Sequence, residues 1–208
     1  MPLNLPRPTK IVCVGRNYVE HAREMGNEVP ESPLIFLKPP SSLVGTGDPI
    51  RLPPQSQKVD HEGEIAIVIG TRATDVREED AWAYVAGVAP LNDVTARDLQ
   101  ASDGQWTRAK GFDTFCPIGT VVPLEQVDRD SLEVICRVNG QVRQRATVGM
   151  MAFSIPVLMA YITSVMTLEP GDVVATGTPA GIGVLLPGDV VEVEIPGVGI
   201  VSNPVETR

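Results

Sequence analysis

The chain has 208 residues, 43% of them apolar, which is enough for one domain with a substantial core but includes no apolar stretch long enough to span a membrane. Aromatics make up only 4%, so Val, Ile and Leu must fill that core. A net charge of −9 with no basic cluster argues against nucleic acid as a partner, and three cysteines without paired spacing (Cys13, Cys116 and Cys136) fit a reducing cytoplasm better than a disulfide framework.

Residues 1–10 carry three prolines and no apolar run, so they read as a short N-terminal segment and not as a secretory signal. Residues 11–14 form a short strand. Asn17, with Glu20 three residues on, predicts an N-capped helix over about 17–25 that stops at Gly26. Another short strand covers 34–37. The β-branched run 65–69, closed by Gly70, is a strand preceded by Glu62, Gly63 and Glu64. Residues 77–83 read as a helix, and 84–91 as a second apolar strand ending at Asn92-Asp93. Thr95-Ala96-Arg97-Asp98 has capping-box spacing and predicts a short helix. Residues 132–138 alternate apolar and polar and meet Asn139-Gly140, a strong hairpin signal. Ser154 as N-cap, with Pro156 in the first turn, opens the longest helix, to about Met166. Pro170-Gly171-Asp172-Val173-Val174 returns as Pro187-Gly188-Asp189-Val190-Val191, giving two turn-plus-strand units. Gly and Pro, 19 each, punctuate short apolar runs throughout and no linker divides the chain. The expectation is a single α+β, mostly β domain over 1–208 with mixed sheet and a few short helices.

The acids carry the chemistry. On a strand, Glu62 and Glu64 share a face roughly 7 Å apart, and two carboxylates that close repel unless a cation or proton lies between them. With Asp93 at the end of the next strand they form a candidate site for Mg2+ or Mn2+; alone, three acids among 26 are equally well read as solvated strand ends. Gly63 between them weakens a strand interior. His21 and Glu24 share a helix face, so Glu24 can hold one imidazole nitrogen and leave the other as a base. A surface His beside an acid is the plainer alternative. The helix is short and poor in large apolar residues, which suits a lid. His61 points away from Glu62 and is expected to be structural. Lys110 and Arg97 are candidate cations for a substrate carboxylate, and Gln100 shares the Arg97 helix face. The loop 176–183, rich in Gly, offers amides and the Thr178 hydroxyl to an oxyanion, or is an ordinary turn.

Taken in order, Cys13-Val14-Gly15-Arg16-Asn17-Tyr18, Phe36-Leu37-Lys38-Pro39, Glu62-Gly63-Glu64, Asn92-Asp93-Val94-Thr95-Ala96-Arg97-Asp98, Lys110-Gly111-Phe112-Asp113-Thr114-Phe115 and Thr176-Gly177-Thr178-Pro179 resemble the fumarylacetoacetate hydrolase superfamily over nearly the whole chain. With Glu20-His21-Ala22-Arg23-Glu24-Met25 they look most like its small branch of acylpyruvate hydrolases and oxaloacetate decarboxylases. The resemblance implies a mixed β-sheet roll and a homodimer. It implies Glu62, Glu64 and Asp93 as ligands of a divalent metal, His21 and Glu24 as a lid dyad, and Arg16, Arg97, Gln100, Lys110 and Thr178 around a small anionic 2-oxo acid. The reaction then expected is cleavage of the C3–C4 bond through a pyruvate enolate. An isomerase or tautomerase is the alternative, and a non-catalytic binding module the more distant one.

Overall fold

The computed structural model describes residues 7–208; the first six residues of the segment at 1–10 lie outside the described residues. In chain order the elements that frame the site are β1 (Ile11–Gly15), α1 (Val19–Glu24), β2 (Leu34–Lys38), β3 (Val59–His61), β4 (Gly63–Ile69), β5 (Val85–Asn92), α2 (Arg97–Asp103), α3 (Thr107–Lys110), β6 (Glu133–Val138), β7 (Gln141–Thr147), α4 (Ile155–Val165), β8 (Val173–Ala175), β9 (Val190–Ile195) and β10 (Gly199–Thr207). Strands dominate, the sheets are mixed and the helices are short, as the sequence predicts.

One sheet runs β5-β4-β8-β1-β2, with Val122–Pro123 as a sixth strand beside β5. Only β1 and β8 are parallel in it. The second sheet runs β7-β6-β9-β10 and ends on Ile50–Leu52, parallel to β10. Strand β4 is buried at every residue. Its odd positions, Ile65, Ile67 and Ile69, join Val134, Cys136, Val193 and Val201 of the second sheet in one core. Its even positions, Ala66 and Val68, join Ile11, Cys13, Leu91 and Ala175 on the other face. Burial on both faces explains why this run is continuously apolar instead of alternating. The same period of two carries Glu64 to the face of Ala66 and Val68.

The Asn139-Gly140 hairpin forms between β6 and β7, with both residues at positive φ (52° and 76°), as a type I′ turn requires. The repeated Pro-Gly-Asp units fold alike. Gly171 and Gly188 turn at φ 90° and 93°, and Asp172 and Asp189 each accept an N–H from three residues back, Glu169 at 2.9 Å and Leu186 at 2.7 Å. All three cysteines are free and buried, and burial pushes the Cys116 and Cys136 thiols up to about 12.

Three local expectations are corrected. Helix α1 begins at Val19, and the Asn17 side chain caps nothing. It bonds across the fold to residues 153 and 176 instead. Thr95 lies in the short strand Thr95–Ala96, and its hydroxyl donates to the Asp93 carbonyl at 2.8 Å, so α2 starts uncapped at Arg97. In both cases a nearby backbone acceptor outcompetes the cap. The helix expected over 77–83 is a 3-10 helix, Glu78–Tyr84. Only Ala81 of it is buried, too little apolar surface to fix an α-helix in place.

Asn17 is fully buried; its Nδ2 donates to the carbonyls of Thr176 (2.8 Å) and Phe153 (3.1 Å), and its Oδ1 accepts from the Phe153 N–H (2.8 Å). Asn17→Ala takes the Asn17 partner from one buried backbone group, at Thr176, and from two half-buried ones, at Phe153, and should cost about 2–4 kcal/mol, lowering Tm by roughly 10 °C. A melt indistinguishable from the parent's contradicts this account. Asp172 accepts from Thr9, Lys10 and Glu169. Burial alone would raise its carboxyl, but these donors hold it below the ordinary value. Its contribution is therefore complete above the unfolded carboxylate pKa and fades as pH falls through the lowered folded value. Asp172→Asn should flatten the loss of stability that sets in as pH falls below about 4, read by urea titration.

Candidate active site

Glu62 is the single residue between β3 and β4. Its N–H donates to Asn92 Oδ1 at 2.9 Å, and its carbonyl accepts from the Asp93 N–H at 2.8 Å. The register pairs Gly63 with Asn92, so Asp93, just past β5, comes to lie beside Glu62. One carboxylate oxygen each from Glu62, Glu64 and Asp93 lies within 4.8 Å of the others, and all three residues are buried. The oxygens lie closer together than the roughly 7 Å between alternate strand residues, because the side chains converge. Gly63 is required by close packing: a Cβ there would lie 2.9 Å from Cys136 Cβ of the second sheet. The glycine fits two sheets together where the sequence alone reads as a weak point.

Three buried cations face the acids. Lys110 Nζ donates to Glu62 Oε2 at 2.9 Å and to Asp93 Oδ2 at 2.7 Å. Lys38 Nζ donates to Asp93 Oδ1 at 2.6 Å and to the Val94 carbonyl at 3.1 Å. Arg97 donates through Nη2 to Glu62, through Nε to Asp60 Oδ2 (2.9 Å) and through Nη1 to Gln100 Oε1 (2.6 Å). Burial alone would raise the Glu62 carboxyl, but Lys110 and Arg97 hold it well below the usual carboxylate range. Burial would lower Lys110, yet Asp93 and Glu62 keep it above its ordinary value.

Glu64 is the exception. Its one bond is from the Gly177 N–H at 2.8 Å. Burial, then the charges of Asp93 and Glu62, push its carboxyl well up. Four buried acids, Asp60, Glu62, Glu64 and Asp93, face three buried cations, Lys38, Arg97 and Lys110. One negative charge is left over, and it falls on Glu64. A buried carboxylate without a cation takes up a proton or a metal ion. Three converging carboxylate oxygens are a donor set that suits a hard divalent cation such as Mg2+ or Mn2+.

Of the ten site residues expected from the sequence, all but Glu24 line one cavity of ≈ 60 Å³. His21 is buried in its wall, and its Nδ1 lies 3.2 Å from Glu24 Oε2. Glu24 sits at the exposed rim and also accepts the Gly181 N–H at 3.0 and 3.2 Å, which docks α1 onto the 176–183 loop. With Glu24 as the acceptor, Nδ1 carries the proton and Nε2 is the free base. Arg16 holds a left-handed backbone (φ 59°) between β1 and α1, and among the described residues no acid pairs with it. Strained backbone of this kind gathers at functional sites. Thr178 donates to the Gly63 carbonyl at 2.9 Å, and the Gly177 amide serves Glu64, so both groups of that loop support the acids directly.

Several residues of the site carry no local sequence signal. Lys38 and Asp60 complete the charge network from 55 and 37 positions away from their partners. Gln144 is buried with its amide fully bonded: Oε1 accepts from the Gly63 N–H (2.9 Å), Nε2 donates to Thr178 Oγ1 and to the Pro179 carbonyl (2.7 Å each), and His61 Nδ1 lies 3.1 Å from Oε1. His61 itself does not line the cavity, in keeping with a structural part.

The fumarylacetoacetate (FAA) hydrolase C-terminal family model matches residues 10–206, and the chain belongs to that family. It is 48% identical over 205 residues to the mitochondrial oxaloacetate tautomerase FAHD1 of Arabidopsis thaliana, covering 96% of this chain and 92% of that one. It is 46% identical over 195 residues to a mitochondrial oxaloacetate decarboxylase of Dictyostelium discoideum, covering 90% and 89%. Among solved structures, the fumarylpyruvate hydrolase of Pseudomonas aeruginosa, in complex with Mn2+ and pyruvate, matches with a TM-score of 0.93 at 32% identity, over 100% of this chain and 93% of that one. The chain is an enzyme of this family. No helix among its described residues is long and apolar enough to cross a membrane.

Glu64→Gln removes both the uncompensated charge and a ligand. Without added metal it should melt at or above the parent's temperature. Mn2+ at ~100 times its Kd stabilises a binding protein by about 2.7 kcal/mol, and this variant should show none of that shift. Equal Mn2+ shifts in parent and variant would place the ion elsewhere. Lys110→Met leaves Glu62 and Asp93 short of a cation and should destabilise the metal-free protein by about 3–5 kcal/mol in urea titration.

Proposed function

We propose that this enzyme cleaves the C3–C4 bond of small anionic 2-oxo acids bearing a 4-acyl or 4-carboxyl group, with a divalent metal at Glu62, Glu64 and Asp93. The observation that carries this is a buried imidazole, bonded to a carboxylate at the exposed rim, that lines one small cavity together with a buried three-carboxylate cluster. When bound, Mg2+ or Mn2+ supplies Lewis acidity toward the substrate's 1-carboxylate and 2-oxo oxygen.

The chain's own residues do the rest. Arg16, with no acid of its own among the described residues, is the cation free to hold a substrate carboxylate, and Gln100 and Arg97 position beside it. For an acylpyruvate, His21 Nε2 takes a proton from water while the water oxygen adds to the distal carbonyl. The C3–C4 bond breaks, its electron pair passes to C3 and is shared with the 2-oxo oxygen, and the carboxylic acid leaves. The protonated His21 then returns its proton to C3, giving pyruvate. Glu24 stabilises the imidazolium between these steps. For oxaloacetate the same bond breaks with loss of carbon dioxide, and no water attack is needed.

Proton relocation at C3 of oxaloacetate is the second reading. It is favoured by the relatives named as oxaloacetate tautomerase and decarboxylase. Here His21 moves a proton between C3 and the 2-oxygen and breaks no carbon–carbon bond.

His21→Ala should lower acylpyruvate hydrolysis by about 10²–10⁴-fold while leaving Mn2+ affinity, read by calorimetry, unchanged. Hydrolysis at the parent rate in this variant removes His21 as the base. Assaying acylpyruvates, oxaloacetate decarboxylation and oxaloacetate keto–enol exchange side by side separates the two readings. Full activity of every kind in excess chelator contradicts both.

A further inference from the structure

The cavity is ionic at one end and aromatic at the other. Lys110 Nζ, which holds Glu62 and Asp93, lies 4.9 Å from the centroid of the Phe36 ring. The Trp106 ring meets Phe36 edge to face one step further out, with centroids 5.1 Å apart and planes at 73°. Trp106 is half-buried and lines the same cavity. Its position is fixed from two sides. A Cβ on Gly15 would lie 2.9 Å from Trp106 Cζ3, so the ring comes this close to β1 only because residue 15 has no side chain. The Trp106 carbonyl accepts the Lys110 N–H at 3.0 Å, tying the ring's own backbone to the helix that delivers Lys110.

We infer that Trp106 is the specificity-determining residue of this enzyme, restricting the substrate's distal group to a compact carboxylate or methyl ketone. The inference rests on the function proposed above. With the 1-carboxylate and 2-oxo group drawn to the acid cluster and its cations, the group on C4 extends toward the wall that Phe36 and Trp106 give the cavity. Phe36 flanks the middle of the substrate, and Trp106 stands where a longer acyl chain would continue. Arg16 follows Gly15 and lines the same cavity as Trp106, so a small anionic end group there has a cation within the same walls. The substrate class is therefore the four- and five-carbon 2-oxo acids, oxaloacetate and acetylpyruvate, and not their extended acyl homologues.

The test compares kcat/KM for acetylpyruvate and for heptanoylpyruvate, with Mn2+, in the parent, Trp106→Phe and Trp106→Ala. Each methylene that a hydrophobic site admits or rejects changes selectivity measurably, so the long-to-short ratio should rise about 10–100-fold in Trp106→Ala and by an intermediate factor in Trp106→Phe, mainly through KM of the long substrate. If Trp106→Ala does not fold, Trp106→Phe decides alone, and its ratio must exceed the parent's. If the parent turns over only oxaloacetate, the same ratio is read from the inhibition constants of the two acylpyruvates. An unchanged ratio in folded variants of an active parent overturns the assignment. A parent inactive on all three compounds overturns the proposed function, and the assignment with it.

Discussion

Four carboxylates buried in one wall are the constraint on which this molecule's chemistry depends. Charges taken out of water must be matched nearby, because desolvation costs several kcal/mol per ion. Lys38, Arg97 and Lys110 meet that demand for all but one acid. Arg97 and Lys110, read from the sequence as substrate cations, are thus first the counter-ions of Glu62, Asp60 and Asp93. The remaining charge sits on Glu64, held by a single amide. A dication there turns a surplus negative charge into a surplus positive one. With a dication bound as proposed, the cavity would attract an anionic substrate, although the chain as a whole carries −9.

Backbone geometry makes this arrangement possible. Glu62 sits in the break between β3 and β4, where the Asn92 side chain accepts its N–H and the β4–β5 register brings Asp93 beside it. Gly63 lets the second sheet press against that break, and Gln144 from β7 bonds both to the Gly63 N–H and to the Thr178–Pro179 turn. The same turn continues to Gly181, where a Cβ would lie 2.0 Å from the Arg143 carbonyl and where the N–H holds Glu24. The three clustered acids, the 176–183 loop and the His21–Glu24 pair therefore share one hydrogen-bonded frame, and β7 is its outer support.

What the sequence showed and what it hid divide along contact distance. The strand over 65–69, the Asn139-Gly140 hairpin and the twin Pro-Gly-Asp turns depend on neighbours within a few residues, and they are legible. Glu62 and Glu64 are legible by period two, and His21 and Glu24 by their three-residue spacing. Lys38, Asp60 and Gln144 are not, since their partners are set by which strands become neighbours and no periodicity records that. Asn17 and Thr95 show the converse: both have correct capping chemistry, but Asn17 is drawn to distant backbone groups at 153 and 176 and Thr95 to the Asp93 carbonyl two residues back. Trp106 falls in a Gly-flanked connection whose course only packing against β1 and β2 determines.

Hydrolysis, decarboxylation and tautomerisation differ less in this cavity than their names imply. Each develops a negative charge at C3 that spreads to the 2-oxygen, and each needs that charge stabilised against the same acid cluster and its cation. They diverge only at the far end. Water attack needs an electrophilic carbonyl and room for the water, loss of carbon dioxide needs an ionised carboxylate with nothing bonded beyond it, and tautomerisation needs only a base at C3. His21 can serve the first and the third from one position, because Glu24 fixes its proton on Nδ1 whatever Nε2 meets. On the proposed mechanism the catalytic groups are common to all three reactions, so the choice among them passes to the volume and polarity of the wall to which Phe36, Trp106 and Arg16 contribute.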